Sequence, residues 1–243
     1  MIGTQARRLV HREIESQATM HPEFQFQTAA SKLAAVVAAC FLMAAVHSGT
    51  VEAAKAKFNK VVVVGEKSPD WNELPGVDGE RHGLGDYSEA KAVVVVFTCN
   101  HCPVAKMYED RLIELSRKYG KQVQVVAICV SHVAADRLDK MKIRAKEKEF
   151  PFAYLYDESQ ESARRFGATV TPHFFLLDGT RKIAYMGAFD DNFDVEKVEK
   201  HYLVDALEAL LDEKEPRVKE SLQRGCAIGY ESANRLPERI PSS

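Results

Sequence analysis

The stretch FTCNHCPVAK, Phe97 to Lys106, sets two cysteines two residues apart directly after the apolar run Ala92–Val96. A pair at this spacing can ligate a metal, form a redox disulfide, reduce a peroxide through one thiol, or pack inertly. Val93–Phe97 is a continuous apolar run of strand length, as expected for a strand buried on both faces. Pro103 suits a first helical turn, where its missing N–H would lack an intrahelical partner anyway. Cys99 therefore falls where the strand ends and Cys102 where a helix begins. The expected geometry turns Cys99 toward the helix N-terminus, whose free N–H groups favour an anion. Such surroundings take a thiol from about 8.5 into the roughly 3.5–7.5 range. A protonated His101 would stabilise the thiolate further, and Cys102 could reach back to close a disulfide.

Outward from this motif, strand-like and helix-like segments alternate from about Lys60 onward. Val61–Val64 is a short β-branched run. SPDWNELPGVDGERHGLGDY follows, with Pro-Gly and Asp-Gly signals for a small hairpin or loop. Helical spacing runs from Val104 through Leu115 until Gly120, then Val123–Val130 reads as the next strand. Ala134–Glu149 is a charged helix candidate, Phe152–Tyr156 a strand and Gln160–Phe166 a short helix. HFFLLDGTRKIAYMG reads as two strands joined at Asp178-Gly179, and Val195–Leu211 as a closing amphipathic helix. This order predicts an α/β fold with a sheet of mixed direction. Residues after Glu213 turn polar and read as a tail draped on the domain.

Composition sets the outer limits. The chain has 243 residues, 46% of them hydrophobic and 28% charged, with a formal net charge of −2. That is ordinary globular composition with no broad basic face for nucleic acid. Cysteines 40, 99, 102, 129 and 226 are too few and too scattered for a disulfide-stapled mini-fold. Leu33–Val46 is apolar, follows Lys32, and is followed by polar His47–Thr50 and then Val51-Glu52-Ala53, with small residues at the −3 and −1 positions of a possible cut. It is too short to span the roughly 30 Å hydrocarbon core as a helix but suits a signal-peptide core. Residues 1–53 are thus expected to be an export leader, 54–212 the domain and 213–243 the tail. Val37–Cys40 also resembles a lipoprotein box, so membrane attachment would require an uncleaved or lipidated leader. The expected location is periplasmic or otherwise extracytoplasmic, where a close cysteine pair can rest oxidised.

Zinc would need two further clustered ligands, and Cys129, Cys226, His132 and His173 are dispersed. No metal or other cofactor is expected. Seventy residues beyond the pair, Thr171-Pro172 stands immediately before a strand, a position that suits proline. With SPDWNELPGVDGE, YDESQESARRFGATVTP, DGTRKIAYMG and Gly225-Cys226, these residues resemble the thioredoxin superfamily over roughly Glu66–Leu211. The similarity is to its redoxin (AhpC/TSA, peroxiredoxin-like) branch. The resemblance implies a thioredoxin-like fold: a central mixed sheet flanked by helices, with an N-terminal hairpin extension. It implies Cys99 as attacking thiolate, Cys102 as resolving thiol, His101 as their modulator and Pro172 as a cis-proline. Thr171 would be the substrate-contacting backbone, and Cys226 a possible third redox thiol.

Three departures stand beside this. Thr98 replaces a tryptophan, Val93–Val96 hold no buried acid, and the peroxiredoxin pattern P-x-x-x-T-x-x-C is missing. Without the acid, proton removal is expected to rest on His101 or water. The leading expectation is a thiol–disulfide oxidoreductase acting on protein disulfides or thiols with a redox partner. The alternative is a peroxiredoxin-like antioxidant reducing hydroperoxides through Cys99, and a third is a copper or zinc carrier. Elsewhere, Cys129 is expected to be a buried hydrophobe and Trp71 a core or lid aromatic. His173 is expected at an ordinary strand position, and Asp190-Asp191 in a solvated loop.

Overall fold

The computed structural model describes residues 56–231, so the leader, the lipoprotein-like box and the end of the tail lie outside the described residues. Its centre is a five-stranded sheet. The chain contributes β1 (Leu74–Pro75) and β2 (Arg81–His82), a small antiparallel hairpin, then β3 (Ala92–Thr98), β4 (Val123–Cys129) and β5 (Ala153–Tyr156). Next come β6 (Val170–Thr171), β7 (His173–Asp178), β8 (Ile183–Gly187) and β9 (Cys226–Ala227). The central order is β5-β4-β3-β7-β8, with β3, β4 and β5 parallel and β7 and β8 antiparallel to their neighbours. Helices α1 (Pro103–Lys106), α2 (Glu109–Tyr119), α3 (Leu138–Lys148), α4 (Glu161–Phe166) and α5 (Tyr202–Leu211) complete a thioredoxin-like α/β fold.

The valine run explains why β3 is central. Val94 and Val96 meet Phe174, Leu112, Leu115 and Leu207 in one core, while Val93, Val95 and Phe97 meet Phe166, Phe175 and Trp71 in the other. A strand covered on both faces needs no polar alternation. The register sets Thr98 opposite Cys129 and Phe97 opposite His173. The carboxyl ends of two parallel strands therefore open beside Pro172, which immediately precedes β7. The outer end of an open α/β sheet is where such folds place their chemistry.

Several expected elements differ in detail. Val61–Val64 is not a strand, because the Asn59 side chain accepts the Val61 and Val62 N–H groups and curls the segment. The edge of β8 is met just beyond it: Gly65 N–H donates to Ile183 O, Ile183 N–H to Glu66 O, and Ser68 N–H to Arg181 O. The helix after the cysteines breaks between Lys106 and Glu109 into α1 and α2. Residues 134–136 form a 3₁₀ turn rather than the start of α3. Likewise 195–197 is a 3₁₀ turn, and Asp191 accepts the Glu199 and Lys200 N–H groups before α5 begins.

Asp190 corrects its half of the solvated-loop expectation, whereas Asp191 stays partly exposed. Asp190 is buried, accepts the Tyr108 hydroxyl at 3.0 Å and is ion-paired with Arg111. Arg111 also donates to the carbonyls of Asn192 and Phe193, so one guanidinium gathers the loop after β8. A charge can be this buried only because it is both paired and hydrogen-bonded.

Candidate active site

Cys99 follows the last residue of β3, and Cys102 is the N-cap of α1. The Asn100-His101 turn between them is fastened by distant residues. Asn100 donates from its side chain to Ala135 O and accepts the Tyr154 hydroxyl. His101 donates its backbone N–H to Asp136 Oδ1 at 2.9 Å, and its Nδ1 bonds Asp136 Oδ2. Asp136 is fully buried, whereas the His101 ring is half-exposed. The 3₁₀ turn after β4 aims its acid at the motif. Sequence reasoning missed Asp136: the search for a buried acid looked within β3, and this one arrives from 35 residues away.

The Thr171-Pro172 peptide is cis. Thr171 contacts both thiols: its hydroxyl oxygen is 3.5 Å from Cys99 Sγ, and its carbonyl accepts from Cys102 Sγ at 3.2 Å. Cys226 Sγ lies 2.7 Å from Cys102 Sγ. The structure thus brings Cys99, His101, Cys102, Thr171, Pro172 and Cys226 together. It sets His173 apart, buried against Phe175, where burial lowers its ring to about pKa 3. Cys129 is buried, its thiol pushed up to about 12 by burial. Trp71 is buried beside Phe166.

The electrostatics reverse one expectation. The helix N-terminus serves Cys102, whose sulfur accepts the Ala105 N–H at 3.3 Å, rather than Cys99. A hydrogen bond with Cys99, together with those with Cys226 and Ala105, holds the Cys102 thiol well below its usual range. Cys99 is raised: its bond to Cys102 favours the protonated form, burial adds to this, and Asp136 opposes a second negative charge. The pair therefore shares one anion and one proton between two sulfurs, with the directions of both shifts favouring the anion on Cys102.

Exposure divides the roles differently. Cys102 is fully buried, while Cys99, 3% exposed, lines a cavity of about 380 Å³ with His101, His132, Val133 and Thr171. The far wall of that cavity is Ala227, Ile228 and Gly229. Cys99 Sγ, a His101 ring nitrogen and an Asp136 oxygen also lie within 4.8 Å of one another, a donor set that a metal ion could use. Here His101 and Asp136 are hydrogen-bonded to each other, and Cys99 Sγ faces Thr171 instead.

The AhpC/TSA family model matches residues 64–186. A crystal structure of an uncharacterized conserved protein from Geobacillus kaustophilus is 33% identical, with a TM-score of 0.66, covering 70% of this chain and 94% of that one. A hypothetical protein from Sinorhizobium meliloti 1021 is 28% identical, with a TM-score of 0.67, covering 73% and 100%. No curated protein matches the chain.

Proposed function

Because the chain belongs to the AhpC/TSA family, we propose that it is a thiol–disulfide oxidoreductase working through Cys99 and Cys102. The observation that carries this reading is the division of labour between the two sulfurs. Cys99 faces the cavity, and Cys102 lies buried beneath it, its thiol held below the usual range by Cys99 and the Ala105 N–H. Cys99 passes its proton to Cys102 and attacks a substrate sulfur. The substrate S–S bond breaks, and its electron pair departs with the leaving thiolate, which takes up a proton. Cys102, again deprotonated, attacks Cys99 Sγ and expels the second substrate thiol. The products are the Cys99–Cys102 disulfide and a reduced substrate. The reverse sequence oxidises substrate thiols, and the reduction potential of the partner sets the direction. Asp136 and His101 act as positioning residues for the turn that carries both thiols.

The test is a trap. In Cys102→Ser with Cys226→Ser, at alkaline pH where Cys99 ionises without Cys102 as its proton acceptor, an added disulfide should leave a mixed disulfide on Cys99 that intact mass detects and a reductant removes. A Cys99 that stays unmodified there while a free thiol reacts would overturn the reading.

A second reading is favoured by one feature, the Thr171 hydroxyl beside Cys99. It supports a hydroperoxide substrate even though the peroxiredoxin threonine is missing. Cys99 would take one peroxide oxygen as a sulfenic acid and release an alcohol or water, and Cys102 would then condense with loss of water. Stopped-flow oxidation by hydrogen peroxide far faster than that of a free thiol would favour this reading. We read residues 1–53 as an export leader from their sequence alone, and an oxidising compartment would suit a pair that rests as a disulfide.

A further inference from the structure

Beyond α5 the chain turns back across the site along a fixed path. On one side, Ser221 N–H donates to Met186 O, and its hydroxyl bonds Tyr185 and the Ala188 N–H. On the other side, Gln160 donates to Gly229 O, Tyr230 donates to Ala168 O, and Arg164 covers the Tyr230 ring. Between these anchors β9 pairs antiparallel with β6, Cys226 opposite Thr171 and Ala227 opposite Val170, and Ile228 N–H donates to Thr169 O. Gly225 passes so close to β6 that an added Cβ would lie 2.1 Å from Thr171 O and 2.7 Å from its carbonyl carbon.

We propose that residues 225–228 fill, in cis, the strand position beside Thr171. Cys226 is then the built-in thiol substrate of the Cys99–Cys102 disulfide, and only a low-molecular-weight disulfide reaches Cys99. The inference rests on the Cys99–Cys102 reading and adds to it a substrate class and an internal destination. Cys226 Sγ stands against Cys102, so Cys102 is the sulfur it attacks. The Cys102–Cys226 bond forms, the Cys99–Cys102 bond breaks, the electron pair leaves on Cys99, and the Cys226 proton ends there. One disulfide and one thiol enter the step, and one of each leaves it. A tethered thiol acts at an effective concentration of the order of millimolar or higher, so it outcompetes dilute thiols.

The same strand closes the site to polypeptides. The β6 edge is already hydrogen-bonded, and Ala227, Ile228 and Gly229 wall the cavity through which Cys99 is reached. An extended chain carrying a disulfide would have to displace this segment first. Its apparent affinity falls by the fraction of molecules in which the segment is open.

The experiment uses the reduced full chain, Cys226→Ser and Gly225→Val, each mixed in single turnover with 2-hydroxyethyl disulfide or with insulin. Quenched samples are mapped by peptide mass. With the small disulfide, the wild type should end as Cys102–Cys226 with Cys99 free, and Cys226→Ser should stop at Cys99–Cys102. Gly225→Val, whose side chain cannot share the space of Thr171 O, should be oxidised by insulin at least about tenfold faster than the wild type. Wild type that stops at Cys99–Cys102 with Cys226 free overturns the inference and leaves the oxidoreductase reading intact. Equal insulin rates in wild type and Gly225→Val overturn the closed-site half. Wild type that the small disulfide does not oxidise at all overturns both readings. Should Gly225→Val fail to fold, Gly225→Ala carries the same clash in a smaller side chain, and the wild-type map decides the relay by itself.

Discussion

Asp136 has two opposed effects on one turn. Its carboxylate fixes the His101 backbone and ring, and its charge discourages a thiolate on Cys99. Asp136→Asn keeps the shape and an acceptor but removes the charge. The Cys99 thiol should then ionise at lower pH, and alkylation by iodoacetamide followed residue by residue should move its midpoint down; an unchanged midpoint would refute the charge argument. Much at this scale was legible in the sequence, because strand, cysteine spacing and Pro103 are local signals. Which sulfur receives the helix N–H was not legible. It depends on Cys102 itself being the N-cap, a matter of a single residue's placement. Asp136 and Asp190 escaped for another reason: acids in polar stretches read as solvated until a partner far along the chain is known.

Among the elements, the strands of the central sheet were read most securely and the ends of helices least. Valine runs and the Asp178-Gly179 turn announce themselves, whereas α3 and α5 begin late because side chains capture backbone groups that the periodic pattern would have assigned to the helix. The C-terminal segment was the least legible element. Its single residue pairs with β6 carry no periodic signal, although Gly225-Cys226 marked the place. Its first anchor makes a prediction. Glu220 accepts the backbone N–H groups of Lys57, Phe58 and Asn59, joining the segment to the start of the domain. Glu220→Ala should lower stability by about 1–3 kcal/mol in urea titration, the range for stranding such donors. Amide exchange should speed up at 57–59 ahead of the β3–β4 ladder. Uniform acceleration across the domain would mean that the clip has no local role.

For the whole molecule, His173 couples the core to pH. Buried and neutral, its ring is lowered to about pKa 3, against roughly 6.5 when unfolded. As pH falls below about 6.5 the unfolded chain takes up a proton that the native state refuses until near 3. Stability is therefore full above about 6.5 and declines toward pH 3, by up to about 1.4 kcal/mol per pH unit from this group. Replacing it with phenylalanine should flatten the urea-midpoint profile between pH 6 and 4, and an unaltered slope would assign the acid sensitivity to other groups. Gly225 has a consequence of a different kind. No side chain fits against Thr171 O, so position 225 tolerates one residue or loses the crossing altogether. Every glycine codon lies one base from an alanine and a valine codon. A single point mutation thus separates a closed, self-served site from an open one, and a lineage could pass between the two without rebuilding the domain.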